Sequence, residues 1–119
     1  VMSESIIKEK SFQFSLKIIR LYKQLLSENE YILSKQLLRS GTSIGANIEE
    51  ALAGQSKRDF IAKMSISSKE ARETKYWLRL LKESEITLIE IESLLLDIEE
   101  RIRMLTAIVK TSQQNLTKH

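Results

Sequence analysis

Lys69, Arg72, Lys75, Arg79 and Lys82 follow one another at intervals of three or four residues. On a helix this spacing lines the cations along one side, over about four turns. Such a row can track a run of phosphates, giving binding that falls steeply with salt and depends little on base sequence. The competing reading is a solubilising face, partly neutralised by Glu70, Glu73 and the carboxylates of a neighbouring helix. No recognition helix, zinc finger or RNP aromatic pattern accompanies the row.

The other chemistry-bearing residues point away from catalysis. The only histidine is His119, at an end expected to fray, which removes Ser-His-Asp triads and the Glu-x-x-His pairs of di-iron bundles. Cysteine is absent, so thiol catalysis, disulfides and cysteine metal sites are excluded. Glu49 and Glu50 are adjacent and point about 100° apart on a helix, so they do not face each other. One of them is expected to meet Lys57, Arg58 or a neighbouring subunit. A buried Asn47 and Glu50 need hydrogen-bond partners, a structural duty. The expectation is therefore no enzymatic activity, no catalytic residue, no metal site and no cofactor.

All three glycines, Gly41, Gly45 and Gly54, lie in RSGTSIGANIEEALAGQSKRDF, residues 39–60. A phosphate cradle requires GxxxxGK and then Ser or Thr after a strand, whereas here the spacing is GxxxG and the flanks are helical. A break at residues 40–43, with Thr42 or Ser43 capping the resumed helix, is one alternative. The other, preferred, is a continuous or slightly kinked helix in which Gly41 and Gly45 admit another backbone closely. That packing must offset about 1 kcal/mol per glycine. Gly54 suits the left-handed position after a helix, and Ser56 an N-cap with Asp59 in the following first turn.

The elements that position these residues are helices expected at about 5–26, 31–53, 56–84 and 86–114. Phe14, Ile18, Leu21 and Leu25 form the first apolar stripe, widened by Ile7, Ile19 and Tyr22. Leu33, Leu37, Ile44, Ile48 and Leu52 form the second. Phe60, Met64, Ala71, Thr74, Leu78 and Leu81 form the third. Leu88, Ile91, Leu95, Ile98, Ile102, Leu105 and Val109 step by three and four as a heptad seam, with Glu90, Glu92, Glu99, Glu100, Arg101 and Arg103 on its wet sides. The short connections predict an all-α, antiparallel up-down-up-down four-helix bundle, one domain over 1–119. Ile66, Trp77 and Leu80 form a second apolar stripe on the third helix, which a simple monomeric bundle does not need and which fits an oligomer interface; the alternative is one wide core face with Trp77 at its edge.

The chain has 119 residues, no proline and a net charge of +3. Residues 56–84 carry eight basic and four acidic groups, and residues 85–119 four basic and six acidic, so the positive charge concentrates on the third helix. No apolar run approaches the roughly 20 residues of a membrane span. VMSESIIKEK lacks the layout of a secretory signal, and Val1 looks like a remnant before a natural start at Met2. A cytoplasmic location away from membranes is expected.

Residues 39–81, RSGTSIGANIEEALAGQSKRDFIAKMSISSKEARETKYWLRLL, resemble a bacterial four-helix-bundle family first noticed as proteins encoded in intervening sequences of 23S ribosomal RNA genes. The distinctive pieces are the run Ser40 to Ala51, then Lys69-Glu70-Ala71-Arg72-Glu73-Thr74 and Tyr76-Trp77-Leu78. The chain departs from the pattern at Ser67-Ser68, where Ala-Leu is expected, which removes apolar bulk from that turn. The resemblance implies a homopentameric bundle in an RNA-related setting. It is also similar to the accessory variability proteins of diversity-generating retroelements, which implies RNA or DNA, and a reverse transcriptase, as partners.

Overall fold

The computed structural model describes residues 2–117. The expectations for Val1 and His119 lie outside these residues. Helices α1 (Met2–Ser27), α2 (Leu33–Leu52), α3 (Lys57–Ser84) and α4 (Glu92–Thr117) are joined by short connections at 28–32, 53–56 and 85–91. Antiparallel neighbours result, and α1 and α3 each pack on both α2 and α4, lying diagonally across the bundle. The all-α four-helix bundle is 52 Å long and 22 Å wide. No described helix is long and apolar enough to cross a membrane.

Local chemistry sets the helix ends. Asn29 (φ 64°) and Glu85 (φ 57°) terminate α1 and α3 in the left-handed region. The Glu30 carboxylate caps α2, accepting from the backbone N–H groups of Ile32, Leu33 and Ser34 at 3.2, 2.9 and 2.6 Å. Ser56 caps α3, accepting from the Asp59 N–H at 3.0 Å. The Glu90 carboxylate accepts from the Ser93 N–H at 2.8 Å, so α4 starts at Glu92 and not near residue 86. Leu88, expected to open the seam, is consequently 100% exposed. At its other end α4 stays helical to Thr117, beyond the expected end near 114.

The stripes meet in one core led by Phe14, Ile18, Leu37, Ile44, Ile48, Met64, Leu78, Leu81, Ile98 and Leu105. Ile19 and Leu52 fall outside it, and Ala51 rather than Leu52 faces inward. Arg101, expected on a wet side, is only 5% exposed. Its guanidinium lies 5.7 Å from the Phe14 ring centroid, donates to the Lys10 carbonyl at 2.9 Å and pairs with Glu100 at 3.0 Å. Lys10–Glu100 and Lys17–Asp97 pairs, 3.0 and 2.8 Å, complete this α1–α4 strap.

Helix α2 runs unbroken through Gly41 and Gly45. A Cβ on Gly41 would lie 2.9 Å from Cγ1 and Cγ2 of Ile18, whereas one on Gly45 would meet nothing nearer than 3.5 Å. Gly54 does not have a positive φ, correcting the left-handed assignment. A Cβ there would sit 2.6 Å from the Asp59 carboxylate. Buried hydroxyls join α2 to α3. Ser67 donates to the Ile44 carbonyl at 2.9 Å, and Thr74 Oγ1 lies 2.9 Å from Ser40 Oγ. At the surface Arg39 pairs with Glu70 at 3.1 Å and with Glu73, which also accepts from the Trp77 indole N–H at 2.9 Å.

Two outcomes are expected. Gly41→Ala forces a methyl against the stiff β-branched Ile18, at an overpacking cost of about 1–3 kcal/mol that exceeds the ~1 kcal/mol gained in helix propensity, so stability falls. Gly45→Ala meets ordinary contacts and raises stability by about 0.5–1 kcal/mol, both measured by urea unfolding. The second outcome concerns Glu73. The Trp77 N–H, opposed by partial burial and aided by Arg39, holds its carboxyl below the ordinary value. A depressed folded pKa contributes stability above the unfolded pKa and loses it as pH falls through the folded one. Emission of Trp77, the only tryptophan, should shift in that acid window, and the shift should vanish in Glu73→Gln. An unchanged shift in Glu73→Gln would contradict the assignment.

Candidate nucleic-acid interface

The hydroxyl and Arg39 contacts with α2 fix the rotation of α3, and its basic row turns toward α4. The antiparallel register then decides which cations meet carboxylates. Lys75 pairs with Glu99 at 3.6 Å, and Lys82 pairs with Glu92, whose hydrogen bond raises the Lys82 pKa. Arg79 pairs with Glu83 on its own helix at 3.2 Å. Exposed pairs of this kind add little to stability. They do give each cation an opposite charge, which lowers the local positive potential. Arg72 differs, for it donates to the Thr106 hydroxyl at 3.1 Å and meets no carboxylate among the described residues. Lys69 is exposed and likewise has no described carboxylate partner. Glu70 and Glu73, expected to neutralise the row, are engaged with Arg39 instead.

Helix α4 supplies two further cations, Arg103, expected only as a wet-side residue of the seam, and Lys110, not singled out from the sequence. Arg103 and Lys110 are exposed, seven residues apart on one side of α4, and without a carboxylate partner among the described residues. Their i,i+7 spacing was the available signal, obscured because residues 85–119 are acidic as a block. On the α3–α4 surface the unpaired cations are Lys69, Arg72, Arg103 and Lys110, while the C-terminal half of the α3 row is paired; Arg20, Lys23, Lys35, Lys57 and Arg58 are exposed and unpaired elsewhere among the described residues.

Of the proposed interface residues, Ile66 is 41% exposed, while Trp77 and Leu80 are half-buried and Trp77 packs against the core. Tyr76 meets Trp77 edge-on at 5.2 Å between centroids. A second apolar stripe, on α1, was missed. Phe12 (52% exposed), Leu16, Ile19 (39%) and Leu26 recur at three, four and seven residues, on the face opposite Ile7, Phe14 and Leu21. The sequence shows this spacing, but Ile19 was absorbed into the core stripe.

Other sequence-selected groups are structural. Glu49 pairs with Lys8 at 3.7 Å and Glu50 with Lys63 at 2.9 Å, in place of Lys57 or Arg58. Asn47 is half-buried and donates to the Ser43 carbonyl at 2.8 Å, and Glu50 is exposed, not buried. Ser67 is buried, and Ser68 is half-buried at the α3–α4 surface. Among the described residues no group of three His, Cys, Asp or Glu side chains is placed to hold a metal.

No curated protein matches this sequence. A solved structure from Bacteroides thetaiotaomicron VPI-5482, described as a protein of unknown function from the S23 ribosomal protein family, is 48% identical with a TM-score of 0.86. The match covers 91% of this chain and 98% of that one. Residues 3–107 match the model of the 23S rRNA-intervening sequence proteins, and with the four-helix bundle built as that likeness requires, the chain belongs to this family.

Proposed function

We propose that this protein is a non-enzymatic, homo-oligomeric accessory protein that binds RNA or DNA through the basic surface of α3 and α4. The observation that carries the reading is the gathering of exposed cations without described carboxylate partners, Lys69, Arg72, Arg103 and Lys110, on one α3–α4 surface whose groove has no acidic lining. A ring multiplies that field. Five copies at +3 give +15, enough to attract a polyanion strongly at low salt. A cytoplasmic reverse transcriptase complex is the kind of setting in which such a protein acts.

The ring itself has a structural rationale. A cyclic assembly other than a dimer needs two different patches on each subunit, because its contacts are heterologous. The α1 stripe of Phe12, Leu16, Ile19 and Leu26 and the α3 patch of Ile66, Trp77 and Leu80 lie on diagonally opposed helices. Patches on opposite sides of one bundle let successive copies join head to tail. A homo-oligomeric scaffold without nucleic acid rests on the same two patches and is the second reading.

Two experiments separate these. Binding of labelled RNA and DNA oligonucleotides should weaken steeply across a salt series and be lost in Arg72→Glu/Lys75→Glu/Arg79→Glu with the native mass retained. Wild-type binding that is absent, or indifferent to these charges, leaves the scaffold reading. For assembly, Phe12→Asp and Ile66→Asp should each break the ring when purified alone. Mixed in equal amounts they should recover a dimer through the one intact pair of patches. Full-size rings from either single variant would contradict the two-patch arrangement.

A further inference from the structure

The groove between α3 and α4 is lined by Ser65, Ser68 and Arg72 on one side and Thr106, Val109, Lys110 and Gln113 on the other. These positions recur at three, four and seven residues on antiparallel helices, so the two rows face each other along about two turns. No acidic residue lines the groove. Its polar groups divide by availability. The Thr106 hydroxyl donates its one proton to the Ile102 carbonyl at 2.7 Å and therefore accepts from Arg72 at 3.1 Å. That contact orients the guanidinium and occupies one of its five N–H donors. The hydroxyls of Ser65 and Ser68, the Lys110 ammonium and the Gln113 amide have no hydrogen-bond partner among the described residues.

We infer that this groove is a phosphate-binding subsite, in which the Arg72 fork and the Lys110 ammonium hold one phosphodiester group of a bound nucleic acid and the Ser65 and Ser68 hydroxyls donate to its oxygens. The inference rests on the nucleic-acid reading above and narrows it to one end of the basic row. A planar guanidinium presents paired donors that match two phosphate oxygens, and an ammonium adds a compact charge. Lys75, Arg79 and Lys82 are less suited because each must first release a carboxylate. Thr106 is a positioning residue, acting only through Arg72. Ser68 matters by its size as well as its hydroxyl, since a leucine there fills the space between Arg72 and Lys110 with methyl groups.

The test uses the full chain and a labelled oligouridylate across a salt series. Arg72→Gln and Lys110→Gln should each weaken binding, and together they should flatten the log–log salt slope by roughly 0.7, the loss of one phosphate contact on a single strand. Ser68→Leu should weaken binding although no charge changes, with helicity and native mass confirming an intact bundle. Lys75→Gln/Lys82→Gln should leave the slope near that of wild type. Wild-type binding by Ser68→Leu, or a larger effect from Lys75→Gln/Lys82→Gln than from Arg72→Gln, would overturn the subsite and leave the broader reading standing. If wild type binds no oligonucleotide, titration with inorganic pyrophosphate followed by amide NMR decides. Shifts at Ser65, Ser68 and Lys110 would keep the phosphate site while removing the nucleic-acid function, and unmoved signals would remove both.

Discussion

The Ile18 side chain packs so closely on Gly41 that no Cβ fits there without a shift, and the rest of the bundle is arranged around that contact. Close approach of α1 and α2 seals the apolar seam between them. It also holds α2 at a depth where Ser40 and the Ile44 carbonyl reach Thr74 and Ser67 on α3. Buried hydroxyl bonds are directional, and leaving a buried partner unsatisfied costs about 1–3 kcal/mol, so they select one rotation of α3. Arg39, bridging Glu70 and Glu73, enforces the same rotation from the surface. A steric fact on one side of the bundle thus determines which residues of α3 face α4 on the other.

From that rotation the electrostatics follow. The α3 cations that lie opposite Glu92 and Glu99 are paired, and Arg79 takes Glu83. Arg72 lies opposite Thr106, a neutral hydroxyl, and α4 places Lys110 one turn further along. The result is a basic row paired at its C-terminal end, with Lys69 and Arg72 left free near the middle of α3 and Lys110 beside them on α4. Electrostatic attraction for a polyanion depends on such local accumulation more than on the total.

The fold was legible because helix periodicity and the small-residue face are local signals. Phe14, Ile18, Leu37, Ile44 and Leu78 could be placed from spacing alone, and the unbroken α2 from its small residues. Errors arose where two registers fit equally well. Arg101 and Ile102 compete for one seam position, and the cation–π contact with Phe14 and the carbonyl of Lys10, invisible without tertiary structure, give it to Arg101. The start of α4 was misplaced because a left-handed Glu85 and a capping Glu90 carry no strong residue signature. The candidate site was half legible. Five cations on α3 could be seen as a row, but their partners depend on the α3–α4 register, and Arg103 and Lys110 gain meaning only when α4 is laid beside them.

Lysine footprinting tests the central claim most directly, namely that the free cations at the α3–α4 surface and not the whole row hold the polyanion. The protein would be treated with an amine-reactive reagent with and without bound oligonucleotide, and the modification of each lysine read by mass spectrometry. The account expects strong protection of Lys110 and Lys69, with Lys75 and Lys82 modified to the same extent in both states. Equal protection along Lys75 and Lys82, or protection there with Lys110 unchanged, would contradict it.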